Sequence, residues 1–428
     1  MKPAAVPAST VVFSSLGQRA QPPTIAKLMA MALETPNLLS LAAGFTDNAT
    51  LPVDFVRAAT EAMLGNPGDR EFLQYGTNQG RPRLRELLAQ RLANNDAEIG
   101  LDAAALQRGL FITNGSQQAL YLAMQVFAEP GDIILVDRPS YFVFLEMLTG
   151  LGLRAVSMPV DAHGKIDASA LGGLLDGLAS KGETQRIKAV YFVSYFSNPS
   201  GRSLDVTEKN TIATQLASRG LHIPVVEDAA YRELYYREAP TAPSVLSLPA
   251  WAKFPKLYTA TLTKPFATGL KVGYGFCTDE TWLKKMLHVK GHHDFGTAHF
   301  NQAILEHGLI SGNYDRQLAL IRPAYERKMR ALHETLVREG LLSLGWSWDE
   351  PAGGLYLWLK APDALDTGLD SAFCRECLAA GVLYVPGELC FGDDAPKNRI
   401  RLSFGVLNER DLAEAGRRFV GVARRFSP

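Results

Sequence analysis

Lys264 stands in the stretch T-A-T-L-T-K-P-F-A-T-G-L-K-V-G-Y, directly after an apolar, strand-like run and between small hydroxyl residues and a glycine. A lysine becomes a nucleophile when desolvation or neighbouring charge makes its ammonium easy to deprotonate, and imine formation with an aldehyde is the usual use of such a group. Thr261 and Thr263 offer hydroxyls to a phosphate, and Lys271 adds a second cation. Taken alone, a lysine at a strand end is a surface charge. Its meaning depends on what the rest of the chain brings to it.

Several strand-end residues are candidates for that company. In T-N-G-S-Q-Q-A-L a strand runs into Asn114 and Gly115, and a helix opens around Ser116 and Gln117. A glycine-bearing turn at a helix start presents free N–H groups and the positive end of the helix dipole to a phosphate. Tyr141, just past D-I-I-L-V-D, could stack on a planar ring, and the amide of Asn198 in F-S-N-P-S-G-R could donate to a phenolate oxygen. Asp228 ends V-V-E-D, with Tyr231 three positions later. A carboxylate at a pyridine nitrogen keeps that nitrogen protonated, so the ring accepts electrons from a carbanion; Tyr231 could hold the ring's 3-oxygen. Arg401, in N-R-I-R-L-S-F-G, could clamp a carboxylate with two parallel hydrogen bonds. Each also has an ordinary reading: a helix cap, a core aromatic, an Asn-Pro turn, a strand-end acid, a solvated arginine.

The elements that must position these residues follow from the hydrophobic pattern. Short β-branched and aromatic runs, G-L-F-I-T, D-I-I-L-V-D, A-V-Y-F-V-S, H-I-P-V-V-E, L-Y-T-A-T-L and V-G-Y-G-F-C, mostly alternate with helix-period segments. That alternation predicts a mostly parallel sheet with helices on both faces, whose ligands sit at the carboxyl ends of the strands. Beyond about Leu309 a long helical period ends at Gly340, followed by shorter strands in G-G-L-Y-L-W-L and I-R-L-S-F-G, the mark of a smaller α+β unit. The expected division is 1–49 as an N-terminal arm and part of the small unit, 50–310 as the large unit, and 311–428 as the small C-terminal unit.

Composition bounds the function. The 428 residues carry 44 Lys plus Arg against 44 Asp plus Glu, so no net charge draws the chain to nucleic acid or an acidic membrane, and the expected partners are small molecules. No apolar run approaches the roughly 18 to 20 residues of a membrane helix. The proline-broken N-terminus reads as a loose arm and not a signal peptide. Four cysteines, Cys277, Cys374, Cys377 and Cys390, do not make a disulfide framework and fit a reducing cytoplasm. Cys374 and Cys377 form a C-x-x-C on an amphipathic helix without a second ligand pair. No G-x-G-x-x-G or Walker motif follows a strand.

Taken in order, L-Q-Y-G-T-N-Q-G-R-P-R-L-R, T-N-G-S-Q-Q-A-L, P-G-D-I-I-L-V-D-R-P-S-Y, S-N-P-S-G, E-D-A-A-Y-R-E-L, T-L-T-K, G-G-L-Y-L-W-L, V-P-G and I-R-L-S-F-G resemble the fold-type I pyridoxal-phosphate aminotransferases of class I/II. Within that class they are most similar to the 2-aminoadipate, kynurenine and aromatic aminotransferase branch. The resemblance runs from about residue 24 to the C-terminus. It implies a three-layer αβα large domain with a mostly parallel seven-stranded sheet and a smaller α+β domain. It also implies pyridoxal 5'-phosphate as cofactor and transfer of an amino group between an L-amino acid, glutamate or an aromatic or long-chain one, and a 2-oxo acid.

By the same resemblance Lys264 would be the internal aldimine and proton shuttle, and Asp228 would pair with the pyridine nitrogen. Asn198 and Tyr231 would hold the 3-oxygen, and Tyr141 would stack on the ring. Ser116, Gln117, Thr261, Thr263 and Lys271 would surround the phosphate. Arg401, helped by Asn198 and backbone near Gly44, would bind the substrate carboxylate. Tyr75, in Q-Y-G, would reach the neighbouring subunit's phosphate, which implies a homodimer.

The chain departs from the family pattern at three places. Lys271 replaces a usual arginine, keeping the charge but losing the fork. A-A-G-F-T-D-N-A-T-L-P puts Phe45 and Thr46 in the segment that roofs the substrate, and S-Y-F-S-N puts Tyr195 and Phe196 beside Asn198. Tyr141, Tyr195, Phe45 and Tyr235 hint at an aromatic or long apolar acceptor. His288, His292, His293 and His299 include an i, i+4 step that a metal site would use; Gly291 interrupts it, so a loop near the dimer interface is expected, and no metal. The alternative within the cofactor class is a lyase, or an enzyme resembling 1-aminocyclopropane-1-carboxylate synthase. A non-enzymatic regulator would carry a DNA-binding domain ahead of the first family block, where this chain has a few dozen residues.

Overall fold

The computed structural model describes residues 11–35, 37–65, 70–96 and 102–427. The first ten residues, most of the expected arm, lie outside them. A two-residue strand, β1 (Leu39–Ser40), comes first. The central sheet is then built from β2 (Leu110–Asn114), β3 (Ile133–Val136), β4 (Arg154–Ser157), β5 (Ile187–Val193), β6 (Val225–Asp228), β7 (Lys256–Thr261) and β8 (Val272–Cys277), in the order β2-β8-β7-β6-β5-β3-β4. The neighbours from β4 through β7 pair in parallel, while β8 runs antiparallel to both β7 and β2. Chain length explains the exception. Parallel pairing needs a crossover of a dozen or more residues, whereas β7 and β8 are joined by residues 262–271, with only the 3-10 turn Thr268–Leu270 inside.

Side chains alternate across this sheet and feed two cores. Ile134, Val136, Tyr191 and Val226 pack with the helices Gly115–Phe127, Phe142–Leu151 and Glu280–His293. Ile133, Leu135, Val190, Phe192 and Val225 pack on the other face with Ala168–Ser180 and Val206–Ala217. Burial on both faces is why the strands read as continuous apolar runs. The edge strand β4, R-A-V-S, is only partly buried and was too short and polar to stand out in the sequence.

Beyond the sheet, the helix Asn313–Arg338 packs along Glu409–Arg425. It ends as its sequence predicts. Gly340 takes φ +83° and the Leu341 N–H donates to the Leu336 carbonyl at 3.0 Å. The antiparallel strands β9 (Tyr356–Lys360), β11 (Val385–Pro386) and β12 (Arg399–Ser403) form a small sheet in the order β11-β12-β9. Between them in sequence, β10 (Val382–Leu383) pairs in parallel with β1, tying an early segment to the C-terminal elements.

The histidine-rich segment departs from expectation. His288, His292 and His293 lie on the helix Glu280–His293 and not in a loop. Gly291 inside a helix costs about 1 kcal/mol relative to alanine. That cost is offset by the Asp279 cap, which accepts from the Trp282 N–H, and by burial of Trp282, Leu283 and Met286. His292 and His293 sit in the last turn, where the helix dipole favours positive charge.

Behind β6 lies a buried ionic cluster. Lys209 Nζ sits 2.9 Å from Glu227 with both side chains fully inaccessible, and Glu227 also accepts from Ser194 and from the Val245 N–H at 2.9 Å. Removing one partner strands the other in a low dielectric. Lys209→Met is therefore expected to destabilise the protein by about 3–5 kcal/mol, measured as a lowered urea midpoint at unchanged m-value; a shift under about 1 kcal/mol would show that the pair is not desolvated in solution.

Candidate active site

The carboxyl ends of β5, β6 and β7, the start of the helix after β2 and Arg401 in the middle of β12 surround Lys264. Its side chain is half-buried, and its Nζ donates to the Gly44 carbonyl. Burial, reinforced by the cations Lys271 and Arg401, lowers its pKa to about 8. Thr261 and Thr263, flanking the strand end, join hydroxyls at 2.7 Å, and the Thr263 N–H donates to Thr261 Oγ1 at 3.2 Å. Lys271 closes the following turn in a left-handed conformation, φ +56°, just before β8.

The opening of the helix Gly115–Phe127 faces this loop. Asn114 provides no side-chain cap, and Gly115 has φ +70° with open space where a Cβ would stand. Its closeness to β8 depends on Gly273, where a Cβ would lie 2.5 Å from both the Gly115 carbonyl carbon and the Ser116 nitrogen. Ser116 is half-buried and Gln117 exposed on this first turn.

Asp228 ends β6. It accepts from the Ala230 N–H at 2.9 Å and from the Tyr191 hydroxyl at 3.3 Å, yet burial dominates and raises its pKa to about 6. Tyr231 follows in a turn, its hydroxyl 3.0 Å from that of Tyr356. Arg401, on β12, donates from Nη1 to Asn198 Oδ1 at 2.8 Å and from Nη2 to the Ala42 carbonyl at 2.6 Å, while its Nε is buried without an acceptor. Its guanidinium lies over the ring of Tyr356, 4.4 Å from the centroid. Tyr141 starts the helix Phe142–Leu151, and burial first, then Tyr356 and Asp228, push its hydroxyl pKa upward.

The structure thus brings together Lys264, Asp228, Tyr231, Asn198, Arg401, Tyr141, the threonines, Lys271 and the Gly44 backbone. Tyr75 stands apart, 82% exposed, with its ring edge-on to Phe295. Two of the aromatics expected to shape the substrate pocket do not face it. Tyr195 is fully buried between Lys209 and Arg232, with its hydroxyl on the Ala242 carbonyl. Tyr235 stacks against Arg322, 3.7 Å from the ring centroid. Phe196 packs against Gly353 and Gly354. In the roof segment, Thr46 is buried and Phe45 half exposed.

The sequence reading missed Tyr191, Tyr356 and Asp137. Tyr191 was legible in principle, since alternation along A-V-Y-F-V-S puts it on one face with Val193. Asp137, just past β3, is buried with Oδ1 unpartnered, accepts the Val193 N–H on Oδ2 at 3.0 Å, and has its pKa raised by burial to about 7. Among the described residues no group of three or more His, Cys, Asp or Glu could hold a metal ion, and His299 instead contacts Arg81 at 2.6 Å.

Comparison with known proteins accounts for this arrangement. The family model for aminotransferase class I and II matches residues 36–419. The chain belongs to that family. An aromatic-amino-acid aminotransferase of Thermococcus litoralis is 30% identical over 90% of this chain and 88% of its own length. The 2-aminoadipate transaminase of Thermus thermophilus is 29% identical over 95% of each. Among solved structures, the kynurenine aminotransferase of Pyrococcus horikoshii, in complex with PMP, superposes with a TM-score of 0.85 at 27% identity, covering 97% of this chain and 98% of that one.

As a class I and II aminotransferase the enzyme uses pyridoxal phosphate, and the residues present fit that group. A desolvated amine poised to deprotonate suits its aldehyde. The uncapped helix start, held against β8 by Gly273, suits its phosphate, and the strand-end carboxylate suits its ring nitrogen.

One test follows from the electrostatics of Lys264. Because its pKa is lowered, the neutral amine predominates above about pH 8, whereas ordinary lysines require about 10.4. Reductive alkylation of the cofactor-free enzyme with a small aldehyde, mapped by mass spectrometry, is expected to label Lys264 with a midpoint near pH 8, ahead of the other lysines. A midpoint near 10 would mean that the amine is solvated.

Proposed function

We propose that this aminotransferase moves an amino group between an L-amino acid and a 2-oxo acid, with Lys264 holding the cofactor aldehyde and then carrying the substrate's α-proton. The observation that supports it most is the convergence of a half-buried, easily deprotonated Lys264 with Asp228, Tyr231 and Arg401. Bound pyridoxal phosphate supplies an electron sink for the carbanion left when the α-proton departs.

The chain's residues do the rest. Asp228 holds the ring nitrogen protonated. Its position between Tyr191 and the Ala230 N–H fixes the carboxylate at the strand end. Asn198 and Tyr231 hold the 3-oxygen, and Tyr141 packs on the ring. Ser116, Gln117, Thr261, Thr263 and Lys271 hold the phosphate together with the N–H groups of the helix start. Arg401 receives the substrate carboxylate; its unpartnered Nε–H is a donor left open for one. Lys264, predominantly neutral above about pH 8, takes the α-proton and returns it as general base and acid.

The substrate reading is an aromatic or long-chain amino acid with glutamate as the second donor, supported by the aromatic-amino-acid and 2-aminoadipate relatives. Tyr75 reaches the partner subunit's phosphate site in a homodimer. Its exposure alongside Leu73 and Phe295 supports that reading. The small unit comprises 311–428 with part of 1–49, and the β1–β10 pairing supports the latter; 50–310 form the large unit. Four buried free thiols fit work in a reducing cytoplasm.

Mixing the purified enzyme with single amino donors is expected to convert bound pyridoxal phosphate to pyridoxamine phosphate. A panel of 2-oxo acids would then reverse the change, aromatic and long-chain acids fastest. Release of ammonia or elimination products without pyridoxamine phosphate would instead identify a lyase. Lys264→Ala is expected to lose the visible absorbance of bound cofactor and to reduce turnover at least about 1000-fold. Arg401→Lys, which loses the fork, is expected to lower kcat/KM for amino acids roughly 10- to 150-fold; retention of full efficiency would remove Arg401 from the carboxylate site.

A further inference from the structure

We infer that Tyr356 is a positioning residue for the proposed reaction, donating its hydroxyl proton to Tyr231 and so leaving the Tyr231 proton free for the cofactor's 3-oxygen. The inference rests on the reading of Tyr231 given above. Both side chains are buried, their hydroxyls are 3.0 Å apart, and their rings meet edge to face at 5.7 Å.

Each hydroxyl has one proton, so only one of the two can donate within the pair. Counting acceptors decides which. Among the described residues neither hydroxyl has another hydrogen-bond partner. Tyr231 gains an acceptor, the 3-oxygen, when cofactor is bound, and Tyr356 has none but Tyr231. If Tyr231 donated to Tyr356, a buried Tyr356 proton would be left unsatisfied, at a cost that buried polar groups rarely bear. The guanidinium of Arg401 over the Tyr356 ring favours the same direction, because a cation on the face of a phenol strengthens its O–H as a donor. A proton donated into Tyr231 then polarises the Tyr231 O–H and strengthens its own hydrogen bond in turn.

The position of Tyr356 is confined. It opens β9, with Ser403 of β12 as its strand partner, and its hydroxyl abuts Gly44, where a Cβ would stand 2.8 Å away. The roof segment therefore holds the hydroxyl against Tyr231. The other charged and titratable groups facing the pair are Arg401 from β12, Tyr141 from its helix start and Tyr325 from the long helix. Tyrosine-to-phenylalanine exchange leaves all of them in place.

The test is a cycle on the holoenzyme: Tyr231→Phe, Tyr356→Phe and the double variant, each followed by the pH midpoint of the bound cofactor's visible absorbance and by kcat/KM. A donor to the 3-oxygen withdraws negative charge from the neighbouring protonated Lys264 nitrogen, so losing that donor raises the midpoint. Tyr231→Phe is expected to raise it by about one unit, Tyr356→Phe by about a third of that, and the second exchange to add nothing once Tyr231 is gone. An unchanged or lowered midpoint in Tyr356→Phe, with Tyr231→Phe still raising it, would overturn the inference alone. Full additivity in the double variant would do the same. An unmoved midpoint in Tyr231→Phe would overturn the assignment of Tyr231, and the inference with it.

Discussion

The site depends on keeping a primary amine out of water beside two other cations. Desolvation disfavours the charged form of Lys264, and Lys271 and Arg401 repel it further. The amine still needs a partner, and the Gly44 carbonyl provides one. That requirement fixes the surroundings. The β7–β8 loop must be short enough to hold Lys264 at the carboxyl end of the parallel strands, and its shortness makes β8 run antiparallel. The segment at Gly44 must fold back over the loop, and its entry into the C-terminal elements through β1 and β10 brings it there.

A second constraint lies in the register of β6. Glu227 and Asp228 are adjacent, so they point to opposite faces of the sheet. Glu227 meets Lys209, Ser194 and the Val245 N–H on one side, and Asp228 meets Tyr191 on the other. Sliding β6 by one residue would turn each carboxylate to the opposite face, so that, depending on the direction, either Lys209 loses its partner or the site loses its acid. Buried ion pairs contribute little stability compared with apolar packing of equal volume, and their best-attested use is to enforce one arrangement. Here the arrangement enforced is the one that puts Asp228 at the strand end. The charge of Glu227 also reaches Asp228, adding to the burial that raises its pKa.

Most of the sheet was legible because strands buried on both faces have to be apolar throughout, as D-I-I-L-V-D and V-G-Y-G-F-C are. The half-exposed edge strand β4 has no such signature. Lys264, Asp228 and Asn198 could be picked out because each ends or follows a strand in a fixed order along the chain, and Arg401 because it lies within the strand run that closes that order. Tyr356 could not, because its importance lies in a hydroxyl contact with Tyr231, 125 residues earlier, and no local pattern encodes such a pair. Tyr195 misled for the opposite reason. It is three residues from Asn198 in sequence, but its ring belongs to the ionic cluster behind the sheet. Gly291 misled because helix propensity is a weak local term that the Asp279 cap and three buried apolar side chains override.

Lys271 shows how a departure from the family pattern is accommodated. Its backbone must be left-handed to turn the chain from the 3-10 helix into β8, a conformation that costs a non-glycine residue roughly 1–2 kcal/mol. Glycine would remove that cost and the charge together. The cation is what the site retains, since its field helps to lower the Lys264 pKa and lies where the phosphate reading needs positive charge. A guanidinium would add a planar fork, which requires a matching orientation; an ammonium on a flexible stem acts as a point charge and does not. On the proposed reading, the fixed hydrogen-bond geometry for a phosphate therefore falls to the rigid parts of the cradle, the helix start at Gly115–Ser116 and the paired threonine hydroxyls, while Lys271 contributes charge without direction.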